Sequence, residues 1–534
     1  MCNTFRNIIC FMLTIIVFTN VNGQTAGFIE GIKNNWTFFY DRIIYADNNA
    51  IYYRLNGDTK LYYSNGTTAG TQATSYIFGT DAFFSPDLGV FSHDNNYTAL
   101  GTDDDPHDII IFKDKSPTFD YVEKTAKSFK GMTFLNGKLY YIFSKTGSVA
   151  DKLVEYDPVS KTKKELMSFT TDGAFGICAF KDKLLIVGYF SGNKLISFEP
   201  STGSLTVLHT FNTTNTFAKA INMMPSGDNI YFWYPNGSSK YSLFVSKGVP
   251  STTIALMDNF TAYDEFTYYS SNIVKAAEGK LMAKVNTTGD TSTEFTLYSD
   301  GTVQGTKLLE FNNVKLSGST DFVYYCKQFF FIASDGSGSN KLFSTNGTNE
   351  GTKKLSDIPV RELVLFNNRL YLSDGNSNKG ELFAWNDKNG KIEFVLDVND
   401  AARQSEPREF RAIKDKLFMV AVRSNLDLSY KLAVMTEPVR SKEDCSVSSS
   451  SEQYVSNFSI FPNPSATDFF IDAEEHIYSP IQVVISDVTG RIILQKKVDH
   501  FPAIINAHDW TSGLYIVKLI SADKNSETYR IVKD

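Results

Sequence analysis

The chain is written in short runs of apolar, β-branched and aromatic residues divided by clusters of Gly, Asn, Asp and Ser. Residues 363 to 397 show the pattern at its clearest: LVLFNN, RLYLSD, ELFAWND and KIEFVLD, separated by Asn-Asn, Gly-Asn-Ser-Asn-Lys-Gly and Asp-Lys-Asn-Gly. Apolar and polar positions that alternate with a period of two put successive side chains on opposite faces of a strand, and the separators are turn formers. The predicted element is a four-stranded antiparallel meander.

That element recurs. LYYSNGTTAGT at 61 to 71, LYSDGTVQGT at 297 to 306 and LFSTNGTNEGT at 342 to 352 are close copies, and looser ones start at Ile109, Leu153, Leu195, Leu243, Leu382 and Leu432. Nine anchors spaced by about 46 residues fall in the range of propeller blades. A lone meander cannot bury both faces; stacking copies around an axis covers them, and closing the ring leaves only short edges. The reading is an all-β chain, a multi-bladed β-propeller of eight or nine four-stranded blades over residues 24–440. The last unit lacks a fourth strand after LAVMTEP, so GFIEGIKN at 27 to 34 is predicted to supply it and close the ring. In the close copies Asn65, Gly66 and Thr67, Asp300, Gly301 and Thr302, and Asn346, Gly347 and Thr348 are read as turn residues. The Gly supplies a positive φ and the Thr hydroxyl bonds the turn backbone.

These copies resemble the ELWxSDGTxxGT repeats of secreted bacterial β-propellers, over roughly residues 27 to 437. Phe or Tyr mostly stands in the place of the Trp, and only Glu381 stands in the place of the Glu.

Residues 441–457, KEDCSVSSSSEQYVSN in the main, read as a flexible Ser-rich tether. From 458 to 534, IQVVISDV, RIILQKKV, GLYIVKLIS and ETYRIVKD alternate as a small Ig-like β-sandwich requires. FSIFPNPS at 458 to 465, VVISDVTGRII at 483 to 493, SGLYIVKL at 512 to 519 and the terminal YRIVKD resemble the type A C-terminal sorting domain of the type IX secretion system, with Pro462, Asn463, Pro464, Gly490, Gly513 and Tyr515 as its motif positions. The resemblance implies a source in Bacteroidota-type bacteria and recognition by the type IX machinery. It further implies delivery to the outer cell surface or the medium, with the domain commonly cleaved off and the product sometimes joined to surface lipopolysaccharide. Residues 1–23 fit that route, with Arg6, an apolar stretch from Ile8 to Phe18 and small or polar residues up to Gly23 reading as a signal peptide. The apolar run is roughly half the ~20 residues a spanning helix needs, so no transmembrane segment is expected.

Composition narrows the partners. A net charge of −7 gives no basic footprint, which argues against nucleic acid. Cys2 and Cys10 would leave with the signal peptide, and Cys178, Cys326 and Cys445 have neither metal-ligand spacing nor the density of a disulfide framework. Cys178 and Cys326 are expected as core filler.

Catalytic signatures such as GxSxG, HExxH or a phosphate-binding Gly loop are missing from the sequence, so no catalytic residue is assigned and an enzyme is not expected. His93, His107 and His209 read as structural. Asp103, Asp104 and Asp105, with Asp108 close behind, could collect oxygen ligands for Ca²⁺, against the plainer reading of a solvated acidic loop; no cofactor is required. Trp233, in the run Tyr231 to Tyr234, could stack on a sugar, although alternation assigns most of that run to blade packing. The expected function is a surface or secreted binding propeller for a glycan or protein ligand. The alternative is a carbohydrate-active enzyme with carboxylates in the central funnel.

Overall fold

The computed structural model describes residues 18–19, 25–29, 42–437 and 458–534, apart from connecting segments inside the last two ranges. The chain divides into two compact units, Met1–Cys445 and Ser446–Asp534.

In the first unit the described strands form nine antiparallel blades of four strands, blade 9 carrying the two-residue strand Phe18–Thr19 as a fifth at its edge. Blade 8 is the meander read from the sequence: Val360–Phe366, Arg369–Asp374, Leu382–Asn386 and Lys391–Leu396. The first strands of the other blades are Arg42–Ala46, Val90–His93, the second half of Phe119–Leu135, Ala174–Phe180, Met223–Ser226, Val274–Ala277, Ser317–Tyr325 and, for blade 9, Arg408–Ile413. These first strands lie beside one another from blade 2 through to blade 9 and from blade 9 back to blade 1, which makes them the inner wall of a ring; blades 1 and 2 meet through the apolar seam of Tyr52, Tyr63, Leu100 and Ile110. All nine sequence anchors fall on or at the edge of third strands, including Lys60–Ser64, His107–Lys113 and Tyr430–Thr436. Blades 2 and 3 share the single run Phe119–Leu135, which changes partner through register shifts around Glu123, Ala126 and Gly131. No sequence pattern signalled that continuity.

Closure comes from the N-terminal segment, as expected, but with shifted bounds: residues 25–29 pair where 27–34 was expected, and residues 30–34 lie outside the described residues. Thr25–Phe28 pairs with Tyr430–Thr436, Thr25 opposite Thr436 and Phe28 opposite Ala433, and the Ile29 N–H extends the ladder to the Leu432 carbonyl at 2.9 Å. The N-terminal segment is therefore the fourth strand of blade 9.

Nine apolar clusters account for the nine seams. Leu363, Leu370 and Leu372 of blade 8 meet Phe330, Ile332 and Leu342 of blade 7, and Ile51 and Tyr53 of blade 1 meet Phe418, Val420 and Leu432 of blade 9. The remaining seams are built in the same way. Each blade buries one face against each neighbour, so its second and third strands are apolar on both faces. Leu184 and Ile186 face blade 3 while Leu185 and Val187 face blade 5.

The second unit is a β-sandwich. One sheet holds Phe458–Phe461, Asp468–Ala473 and Ala503–Asn506, and the other holds Ile492–Val498, Ile481–Asp487, Gly513–Ile520 and Ser526–Lys533 in that order. Phe469, Ile471, Val483, Ile485, Val517 and Ile531 fill the space between them.

One sequence expectation needs correction. Cys178 is a buried free thiol, as expected, and burial pushes its pKa up. Cys326 is not simple filler: it is disulfide-bonded, because it occupies the turn after Ser317–Tyr325 rather than a strand centre, half-buried at φ +49°. Its partner lies outside the described residues, where Cys2, Cys10 and Cys445 are.

Candidate functional site

The repeat turns are built first from their own side chains. Asn65 Oδ1 accepts the Thr67 N–H at 3.0 Å and the Thr67 hydroxyl at 2.8 Å, and Thr67 Oγ1 accepts the Gly70 N–H at 3.0 Å. Ser64 and Thr71 close the loop at 2.6 Å. Asp300 and Thr302 repeat this arrangement, as do Asn346 and Thr348. Gly66, Gly301 and Gly347 have φ of +84°, +88° and +98° and lie against the preceding blade. A Cβ on Gly347 would come within 2.1 Å of the Tyr298 ring, and one on Gly66 within 2.7 Å of Lys416. These turns are inter-blade packing devices with their polar groups satisfied internally.

The candidate site lies instead on the inner strands of blades 7, 8 and 9. Asp321, Glu362 and Glu409 each stand five residues ahead of an inner hairpin turn, at Cys326, Asn367 and Lys414 respectively. The ring brings these equivalent positions side by side. Glu362 Oε2 accepts the Phe410 N–H of blade 9 at 3.1 Å, and Asp321 is hydrogen-bonded to the Leu363 backbone of blade 8. Arg411 lies 3.8 Å from Glu409 and donates to the Phe410 carbonyl at 2.8 Å. Burial, then the Glu409 charge, pushes Glu362 up to about 7. Burial and the Glu362 charge raise Asp321, against the pull of Arg411. Asp321 and Glu409 adopt φ of +53° and +54°, uncommon for residues with a side chain, where the inner strands bulge. Close by, Glu406 Oε2 accepts from Arg408 at 2.8 Å and from the Tyr430 hydroxyl at 2.9 Å, with Arg361 at 3.7 Å.

Glu381, the one residue in the Glu place of the repeat pattern, acts on the connection between blades 8 and 9. Its Oε1 accepts the Ser405 N–H at 3.0 Å, the other oxygen accepts the Ser405 hydroxyl, and burial pushes its pKa up to about 7.

A second feature is aromatic and lies on the outer strands of blades 1 and 2. Tyr76, Phe119 and Tyr121 form a ring cluster with centroids 5.1 to 6.4 Å apart. Tyr121 is 41% exposed and Ile77 61% exposed, and Lys124 lies over the Tyr121 ring at 3.7 Å.

The residues singled out from sequence fare differently. Trp233 is corrected: it is 5% exposed among Tyr231, Leu243 and Leu281 between blades 5 and 6, so no face of the indole is open to a sugar. Ile230, Phe232 and Tyr234 point to the opposite seam, as alternation requires. Asp103, Asp104 and Asp105 lie outside the described residues, and among the described residues no three His, Cys, Asp or Glu are grouped to hold a metal ion. His209 packs edge-on to Phe211 at 4.8 Å, and burial lowers its pKa. His93 ends the first strand of blade 2 and His107 begins its third.

In the C-terminal unit the motif positions do structural work. Asn463 Nδ2 donates to the Arg530 carbonyl at 2.9 Å and its Oδ1 accepts the Val532 N–H at 2.8 Å, which ties the entry segment to the last strand. Pro464 follows through a cis peptide, and Pro462 lies outside the described residues. The Tyr515 hydroxyl donates to the Thr511 carbonyl at 2.7 Å, and its ring packs on Trp510 at 4.9 Å. Gly490, at φ +87°, closes the turn capped by Asp487, and Gly513 opens the strand that carries Tyr515.

Residues 459–534 match the family model of the secretion system C-terminal sorting domain. This tail directs the chain through type IX secretion to the cell surface or extracellular space. No described helix is long and apolar enough to cross a membrane. No curated protein matches the chain. Among solved structures, the chain is similar to the computationally designed Ika8 protein at 12% identity and TM-score 0.38, covering 69% of this chain and 98% of that one. It is also similar to the β-propeller domain of the Trilobed protease from Pyrococcus furiosus, at 12% identity and TM-score 0.31 over 59% and 99% of the two chains. A putative TolB from Agrobacterium tumefaciens matches at 14% identity and TM-score 0.27 over 40% and 78%. The fold assignment rests on the strand pairing and the nine seams.

Proposed function

We propose that this chain is a secreted or surface-displayed binding propeller of the ELWxSDGT-repeat kind, from a Bacteroidota-type bacterium, and that it engages a glycan or protein ligand through its rim. The aromatic cluster on blades 1 and 2 carries this reading, because an exposed Tyr121 packed edge-on to Phe119 and beside Tyr76 offers apolar area and a ring edge to a ligand. The inner carboxylates support it from the other side. Glu362 and Asp321 are already engaged by the backbone of the next blade, as inter-blade braces are.

A second reading, a carbohydrate-active enzyme, draws on the same carboxylates, since two acidic groups of unlike protonation are what glycoside hydrolysis needs. A glycan array probed with the exported protein, followed by a reducing-end assay on every polysaccharide that binds, separates the two. Binding that Tyr121→Ala abolishes and that yields no new sugar ends supports the binding module. New ends that Glu362→Gln abolishes would overturn it.

A further inference from the structure

We propose that the outer face of the four-stranded sheet in the C-terminal unit is the surface by which the type IX machinery recognises this chain, through a component that presents apolar area ringed by carboxylates. The face follows from register. Tyr515, Val517, Leu519 and Ile531 fill the sandwich, so their strand neighbours Leu514, Ile516, Lys518, Arg530 and Val532 point outward. Leu514 stands opposite Val532, and Ile516 stands between Ser486 and Arg530, with Ile492 beyond Ser486. Leu514 is 40%, Val532 37% and Ile492 57% exposed, and Val488, in the turn at the same end, is 67% exposed. The outward face of a solvated antiparallel sheet carries polar residues. This face does so only at its far end, at Gln495, Lys497 and Lys518.

The occupant follows from what the domain is. A sorting domain acts by being recognised, and its motif positions Asn463 and Tyr515 are spent on bonds within the sandwich. Recognition therefore falls to what the runs VVISDVTGRII, SGLYIVKL and YRIVKD leave outside, and those three runs supply every apolar position of the patch. Gly490 and Gly513, motif positions at the same end, have open space where a Cβ would stand, which lets another protein approach the backbone closely. The charged outward positions among the described residues, Arg530, Lys518 and Lys497, are all cationic, so the rim complements an acidic one. An apolar centre with a charged, solvated rim suits a contact that forms during export and is then released. The recognition is independent of what the propeller binds.

The test is export of the full-length chain by a type IX-competent cell, with Leu514→Asp and Val532→Asp combined. Both side chains are exposed, so the melting temperature of the purified chain should stay within about 2 °C of the wild type. Protein in the medium and on the cell surface should fall about tenfold or more, with the chain held in the periplasm. Ile504→Asp, at an exposed apolar position of the other sheet, should export like the wild type. Should the double aspartate variant lose its fold, Leu514→Thr with Val532→Thr keeps strand formers and trims the apolar area, and export about threefold lower is then expected. Normal export of the folded double variant, or an equal block by Ile504→Asp, would overturn the assignment. So would a concentration-dependent dimer of the wild type that the double variant abolishes with export intact, which would give the face to a second copy of this chain.

Discussion

Glu362 lets the inner seam of blades 7 to 9 be tested by pH. Its carboxyl rises from an ordinary 4.5 to about 7 on folding, because burial and the neighbouring Glu409 charge disfavour the ionised form. The folded protein therefore holds this proton more tightly than the unfolded chain. The stabilisation is complete below pH 4.5 and is lost as pH rises through about 7. A rise of about 2.5 pH units at 1.36 kcal/mol each amounts to about 3 kcal/mol. With an unfolding entropy near 2.1 cal/mol/K per residue over roughly 400 residues, that is about 4 °C in melting temperature. Glu362→Gln keeps an oxygen for the Phe410 N–H and removes the charge. Calorimetry from pH 8 to pH 5, a window that holds about 2.5 kcal/mol of the effect, should show the wild type gaining about 3 °C more than the variant, and the variant should be the more stable of the two at pH 8. Glu381, also raised, titrates in both proteins and cancels from the difference. Parallel curves for the two proteins would refute the placement of Glu362 against a like charge in a desolvated seam.

Gly347→Ala adds a Cβ within 2.1 Å of the Tyr298 ring at φ +98°; a loss of about 2–4 kcal/mol in chemical denaturation is expected, and a loss below 1 would show that the turn is not packed on blade 6. Trp233→Ala should cost about 3–5 kcal/mol as a core cavity yet leave ligand affinity unchanged in the folded fraction, which a binding titration on the refolded variant checks. Asn463→Ala removes both bonds to the last strand, so hydrogen exchange at the Val532 amide should accelerate roughly tenfold, corresponding to about 1.4 kcal/mol, while amides of the propeller stay unchanged.

The sequence determined the repeat, the blades and the closing strand. Strand alternation and turn chemistry are local, so the four runs between 360 and 396 could be read residue by residue, and equal spacing of the anchors supplied the ring. The axial cluster was not legible in the same way. Asp321, Glu362 and Glu409 are about a blade apart in sequence, and their convergence depends on the register that places equivalent positions of adjacent inner strands side by side. Aligning the blades on their inner turns would have exposed it, since each carboxylate precedes its turn by the same five residues. Trp233 misled for the opposite reason: a dense aromatic run states hydrophobicity, whereas burial in a seam is decided by the blade that packs over it. Cys326 was misjudged because the distance between two cysteines is a property of the folded path. Local chemistry along the chain thus set what each blade is, and the closed ring, which alone brings distant inner strands into contact, decided which charges meet.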